Sequence, residues 1–248
     1  MTTPTSTTRH ITHAARAKIS RVRPPRRLRV ARQTDEQDPA QHPRRLLNVL
    51  VAAVAIVLTA PLMAAIFVLI QLTSPGPVLY SQTRVGIDRR RREPGPPDSR
   101  RRSDVGGCLF TIYKFRTMCL NTSDEVWATE DDPRITPIGR FLRKFRLDEL
   151  PQLFNVLRGD MNIVGPRPEQ PKIFAALRDQ IEHYPQRQRV RPGITGWAQI
   201  NQHYDRTLAD VRRKVQLDLE YVERQSLLQD LSIMARTIPV MIFQRGAW

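Results

Sequence analysis

Asp148 and Glu149 are adjacent carboxylates set among cations: Arg140, Arg143, Lys144 and Arg146 precede them within residues 140–153. A carboxylate in such a setting can attack phosphorus to form an acyl phosphate, dividing one transfer into two steps. Recognition of phosphate or diphosphate needs several cations. A divalent metal would screen the repulsion between the carboxylate and the phosphate oxygens. Acidic pairs also occur as ordinary helix-start residues, where the helix dipole favours them. The pair points to chemistry on an anion only together with Lys114, Arg143, Arg167 and Arg191, which all fall in segments that read as structured.

Other chemistries find no support. The chain has neither a Gly-x-x-x-x-Gly-Lys-Ser/Thr loop nor a Gly-x-Gly-x-x-Gly turn. Its five histidines, His10, His13, His42, His183 and His203, form no metal pattern. Cys108 and Cys119 are the only cysteines, fit no metal spacing, and read as reduced thiols in a cytosol-facing domain.

The elements that must position the pair can be read from periodicity. Ile138, Phe141, Leu142 and Phe145 recur as one face of an amphipathic helix. Leu150, Leu153, Phe154 and Leu157 repeat the pattern in a new phase, and the carboxylates sit at the phase break. Pro151 suits the first turn of the second helix. That places Asp148 and Glu149 at or just before a helix N-terminus, where anions are favoured. Residues 77–85 and 109–118 read as two paired strands, with 87–108 as a long loop between them. Gly165-Pro-Arg-Pro168 and Arg191-Pro-Gly-Ile-Thr-Gly196 read as rigid turns, each carrying one arginine. Residues 171–190 and 205–224 read as helices, and the apolar tail Leu231–Phe243 as a segment lying on a membrane surface.

Charge is unevenly spread. The net charge is +16, of which residues 1–45 supply +8 and residues 87–108 supply +3. Both segments are rich in Arg and Pro and poor in apolar residues, so they are expected to be disordered. Between them, no Asp, Glu, Lys or Arg occurs from Leu46 to Thr83. The apolar part, 46–72, exceeds the ~20 residues that a spanning helix needs. Beside such a segment a basic arm is expected to meet anionic lipid rather than nucleic acid. Pro61 interrupts the run, and both flanks are basic, with Arg44 and Arg45 before it and Arg84 after. Two readings stay open: a kinked span, or a re-entrant helix–break–helix with both ends on the cytoplasmic side.

Several motifs then appear in order: Ser74-Pro-Gly-Pro-Val78, Ser81-Gln-Thr-Arg-Val-Gly86, Tyr113-Lys-Phe-Arg-Thr-Met118, Thr136-Pro-Ile-Gly-Arg-Phe-Leu-Arg143, Leu147-Asp-Glu-Leu-Pro-Gln-Leu153, Asn155-Val-Leu-Arg-Gly-Asp-Met161, Val164-Gly-Pro-Arg-Pro168 and Arg191-Pro-Gly-Ile-Thr-Gly-Trp197. From Leu46 to its C-terminus the chain resembles the bacterial sugar transferase family, the monotopic polyprenyl-phosphate phosphoglycosyl transferases. The resemblance implies transfer of a sugar-1-phosphate from a UDP-sugar to polyprenyl phosphate, with release of UMP. It implies that Asp148 is the nucleophile and that Glu149 is its acid/base or orienting partner. Mg²⁺ is the implied metal, held close to Asp148. Lys114, Arg143 and Arg167 match positions implicated in substrate phosphate binding, and Arg191 and Asp218 match further motif positions. The resemblance also favours the re-entrant reading, although Ala60-Pro61 stands where the family has Ser-Pro, with Thr59 as the nearby hydroxyl.

The expected architecture is therefore α+β and mostly helical: a monotopic membrane protein with a re-entrant broken helix, a small β-hairpin and amphipathic surface helices. Its expected parts are a disordered arm (1–45), the membrane helix (46–72) and a cytoplasmic catalytic domain (73–248). This matches the small catalytic form, without the added spanning helices of larger relatives. The expected setting is the bacterial cell membrane, with membrane lipids, UDP-sugar and polyprenyl phosphate as partners, no nucleic acid, and homo-oligomerisation left open. The rival from another class is a membrane-anchored basic adaptor binding nucleic acid or lipid, which leaves residues 113–197 without a purpose.

Overall fold

The computed structural model describes residues 41–88, 106–119, 132–202 and 207–242. The expected disordered arm, apart from its last five residues, and most of the 87–108 loop lie outside the described residues.

The apolar segment forms one helix, α1 (Gln41–Thr73), five residues longer at its start than the apolar run. It is long and apolar enough to cross a membrane. The expected break does not interrupt it, because the helix continues through Pro61. Proline removes only its own N–H from the ladder, so helical bonds on either side can still close. The Thr59 hydroxyl donates to the Ala55 carbonyl at 2.7 Å, a back-bond that favours bending rather than termination.

Both ends of α1 are tied to the folded part of the chain. Near the start, Arg44 donates to Asp230 at 2.8 and 3.0 Å and to the Tyr221 hydroxyl at 2.9 Å. Arg45 donates to the carbonyls of Val156 and Leu157 at 2.6 and 2.8 Å. Asn48 accepts from the Ile163 amide at 2.6 Å. Past the other end, Arg116 donates to the Ser74 and Pro75 carbonyls at 2.5 and 2.7 Å.

The expected hairpin is present as β1 (Leu79–Val85) and β2 (Leu109–Phe115), antiparallel with Leu79 opposite Phe115 and Val85 opposite Leu109. Met118 forms an isolated bridge with Ile135. The helix α2 (Pro137–Lys144) begins at Thr136, whose hydroxyl accepts from the Gly139 amide at 3.0 Å. A helical turn at Leu147–Glu149 follows, and then α3 (Gln152–Arg158), which ends on left-handed Gly159.

A second, parallel pair, β3 (Asn162–Val164) and β4 (Gly193–Thr195), was not expected from the sequence. The two Gly-Pro turns flank it. A Cβ on Gly165 would strike the Arg191 carbonyl, and one on Gly193 would strike the Gly165 nitrogen, so this close backbone approach requires glycine. The helix expected over 171–190 is shorter: α4 (Pro171–Arg178) ends before left-handed His183, and a 3₁₀ segment runs Tyr184–Arg189. Next come α5 (Trp197–Asn201), α6 (Leu208–Arg224) and α7 (Leu227–Ile242).

Three apolar clusters lock these parts around the carboxylate turn. Ile66 and Ile70 of α1 pack with Val78, Phe115 and Leu142, and with Leu147 and Leu150 on either side of the acidic pair. Ala52 packs with Ile112, Leu153, Val156 and Met161. Phe174, Tyr184, Val211 and Val215 form a core behind the Arg167 turn.

Candidate active site

The phase break has a definite cause. Arg146 adopts a left-handed conformation, φ 54° and ψ 21°, immediately after α2. That residue reverses the chain, and the next turn carries Asp148 and Glu149. Leu147 and Leu150 are partly buried against the cluster formed by α1 and β2, which fixes the turn from both sides. Asp148 and Glu149 are themselves buried, at 8% and 6% exposure.

Glu149 is held by two cations. Its Oε1 accepts from Lys114 Nζ at 2.7 Å and from Arg167 Nη2 at 2.5 Å, and its Oε2 accepts from Arg167 Nη1 at 3.3 Å. Asp148 has Lys114 Nζ at 3.9 Å, and its carboxylate accepts no hydrogen bond among the described residues. The two acids therefore differ in charge behaviour. Burial pushes Asp148 above the usual aspartate range and Glu149 adds to that, against the opposing pull of Lys114. Burial would raise Glu149 as well, but Arg167 and Lys114 outweigh it and hold that carboxyl well below its ordinary value. Arg167 is held charged, first by Glu149.

The structure brings together four of the expected residues: Lys114, Asp148, Glu149 and Arg167. Arg143 stands at the edge of this group. Its Nε donates to Thr117 Oγ1 at 2.9 Å, and its charge acts on Asp148. Arg191 lies elsewhere, with its charge acting on Arg45 at the α1 side. Asp218 is 2% exposed and sits behind the site, bound to Arg187 Nη2 at 2.7 Å.

Sequence reasoning missed the support behind Arg167. Arg187 is almost wholly buried and donates to the Arg167 carbonyl at 2.9 Å, to Asp218, and to the Tyr184 hydroxyl at 3.1 Å. Glu169 lies 3.5 Å from Arg187 and 3.1 Å from Lys214. Despite burial, Lys214 and Arg187 hold the Glu169 carboxyl at about 2. Arg84 also escaped notice; it donates to the Pro168 carbonyl at 3.3 Å, and Arg167 and Glu149 both act on its charge. Its place in Ser81-Gln-Thr-Arg-Val-Gly86 was the available signal. Arg187 had none, since it reads as one of several cations between 187 and 191.

Among the described residues, no group of three or more His, Cys, Asp and Glu side chains could hold a metal. Both Glu149 oxygens are taken by cations, which leaves Asp148 as the available carboxylate. One carboxylate completed by substrate phosphates and water is a donor set that Mg²⁺ accepts.

This arrangement coincides with a known family. The family model described as bacterial sugar transferase matches residues 40–244. The chain belongs to the bacterial sugar transferase family. Its membership covers α1 and every element that builds the carboxylate site. The chain is 41% identical over 206 residues to a UDP-N-acetylgalactosamine-undecaprenyl-phosphate N-acetylgalactosaminephosphotransferase of Aeromonas hydrophila, covering 82% of this chain and 44% of that protein. It is 39% identical over 199 residues to a UDP-glucose:undecaprenyl-phosphate glucose-1-phosphate transferase of Escherichia coli strain K12, covering 79% and 39%. It is 34% identical over 226 residues to the exopolysaccharide production protein ExoY of Sinorhizobium fredii, covering 83% and 88%. The chain thus spans well under half the length of the first two relatives.

Proposed function

We propose that this chain transfers a sugar-1-phosphate from a UDP-sugar to polyprenyl phosphate, releasing UMP, as the first membrane step of lipid-linked glycan assembly. The observation that carries the reading is the unequal pair. Among the described residues Asp148 is buried without a hydrogen-bonded partner, while Glu149 beside it gathers Lys114 and Arg167. Relatives named for undecaprenyl-phosphate sugar phosphotransfer support the same reaction.

In the first step an Asp148 carboxylate oxygen attacks the phosphorus that bears the sugar. A bond forms from that oxygen to phosphorus, the bond to the bridging diphosphate oxygen breaks, and UMP leaves with that oxygen. In the second step a phosphate oxygen of the acceptor attacks the same phosphorus. The Asp148 oxygen–phosphorus bond of the acyl phosphate breaks, the carboxylate is restored, and a polyprenyl diphosphosugar results. Glu149 is ionised and bound on both oxygens, so its role is to orient Lys114 and Arg167 toward the phosphates rather than to carry a proton. Mg²⁺ held at Asp148 would neutralise charge on the diphosphate.

The membrane path proposed is re-entrant, with the catalytic part on the cytoplasmic face. Ties from Arg44, Arg45 and Asn48 near the start of α1, and from Arg116 beyond its end, reach the same folded part of the chain. A helix passing straight through a bilayer would have to separate those ties by ~30 Å of hydrocarbon, which supports entry and exit on one side.

The test is UMP release and labelled-phosphate capture in membranes supplied with Mg²⁺, polyprenyl phosphate and a panel of UDP-sugars. Label from the sugar-bearing phosphate should appear on the protein when acceptor is omitted, and not on Asp148→Asn. Full turnover by Asp148→Asn would sink the assignment. Deletion of residues 1–40 should spare turnover, whereas a basic adaptor would lose its function.

A further inference from the structure

A groove of about 630 Å³ runs between α1, the hairpin and α3. Its size is that of sites which enclose small ligands, ~300–1,000 Å³. We infer that it receives the isoprenoid chain of the acceptor lipid. This rests on the reaction proposed above and adds a place for the part of the acceptor that does not react.

The lining selects a hydrocarbon. Ala64 and Phe67 line it from α1, Phe154 from α3 and Phe115 from β2. The polar side chains at its edge are Arg158 and Tyr113, and they bond each other at 3.3 Å. A polar ligand would find few partners there, whereas a hydrocarbon chain loses water contact along its whole length. Phe67 and Phe154 are 49% and 44% exposed, so apolar surface stands uncovered on both walls.

Position selects the acceptor over other hydrocarbons. The α1 wall belongs to the helix whose exposed residues Leu58 and Leu62 continue the apolar surface, so lipid reaches the groove without crossing water. At the other side, Pro151 lines the groove and follows Asp148 by three residues. Phe115 adjoins Lys114 in β2 and packs against Leu147 and Leu150, which bracket the carboxylates. The groove and the anion site are thus built from the same turn and the same strand. An amphiphile whose phosphate must come to Asp148 while its chain stays in apolar surroundings matches this continuity.

The experiment uses the full chain in lipid nanodiscs, with saturating UDP-sugar and two acceptors, undecaprenyl phosphate and the short geranyl phosphate. Ala64→Trp fills the groove. It should raise the apparent KM for undecaprenyl phosphate about tenfold or more while changing that for geranyl phosphate less than about twofold. Leu46→Trp places the same bulk on an exposed α1 position far from the groove and should change neither. Phe154→Ala, which widens the groove, should weaken discrimination between the two acceptors. An unchanged KM for the long acceptor in Ala64→Trp overturns the inference. So does an equal loss with both acceptors, which would mean that the groove seats bulk membrane lipid or that the change damages the site generally. Absence of transfer to either acceptor by the unmodified chain would instead remove the proposed reaction itself.

Discussion

Two buried clusters of acids and bases lie back to back in this chain, and they are balanced differently. In the rear cluster every carboxylate has a close partner: Asp218 has Arg187 at 2.7 Å, and Glu169 has Lys214 at 3.1 Å. In the front cluster Lys114 and Arg167 both close on Glu149, at 2.7 and 2.5 Å, while Lys114 stays 3.9 Å from Asp148. Similar residue types thus give a closed network in one place and, in the other, a carboxylate that accepts no hydrogen bond among the described residues. A closed network fixes geometry. A carboxylate whose oxygens are not engaged can attack an electrophile, while the neighbouring cations offset its repulsion from the anionic oxygens around phosphorus.

The comparison breaks most completely at Asp148. Asp148→Asn keeps the shape and removes the proposed nucleophile, so transfer should fall to background while the protein stays in the membrane, measured by UMP release and fractionation. The rear cluster should respond in stability first. Arg187→Met leaves Asp218 buried without its cation, which should cost about 3–5 kcal/mol in a denaturation midpoint series. Arg187→Lys retains the charge but loses the fork whose Nη2 reaches Asp218 and the Arg167 carbonyl while its Nη1 reaches the Tyr184 hydroxyl. Its mark should be a raised KM for UDP-sugar at near-normal stability, because Arg167 is then less well held.

Smaller effects sharpen the front cluster. Lys114→Met should weaken kcat/KM by about 10- to 100-fold, the range for a charge-assisted bond of ~1.5–3 kcal/mol. Lys114 lowers the pKa of Asp148, so its loss should move the acid limb of the pH–rate profile upward. Movement downward would contradict the pairing. Glu149 gives an opposite signature in stability. Its folded value is lowered, so its contribution is complete above the ordinary glutamate value and disappears as pH falls through the lowered one. An acid-unfolding series of Glu149→Gln against the parent should converge at low pH. The smallest effect belongs to a pair outside both clusters. Arg224–Glu220 is an exposed helical pair at 2.9 Å, and Arg224→Ala should change stability by only about 0.3–0.5 kcal/mol.

Much of the front cluster was legible in the sequence. The change of helical phase located Asp148 and Glu149, and strand patterning put Lys114 in an ordered segment, though not its reach to them. Left-handed Arg146 is the physical reason the phase changed, but an arginine carries no sign of that conformation as glycine would. The rear cluster was illegible because its residues come from segments far apart. Arg187 and Asp218 are 31 residues apart; Asp218 was marked only by its motif position and Arg187 by nothing, so their pairing had no local sign. Pairing of β3 with β4 escaped notice for a related reason: three-residue strands have no period to detect. Continuity of α1 through Pro61 shows a different limit, since local propensity marked the weak point while ties at both ends set the outcome.

The clamp at Arg44 also has a consequence for biogenesis. Arg44 is buried in the first turn of the apolar helix, and its carboxylate partner, Asp230, is 186 residues later in the chain. At ~5–20 residues per second, translation needs roughly 10–40 s to supply that partner. The helix is therefore complete well before Asp230 is made, and final docking at Arg44 waits for α7. A chain truncated before Asp230 should enter the membrane yet remain open to protease at Arg44–Arg45, where the complete chain is protected.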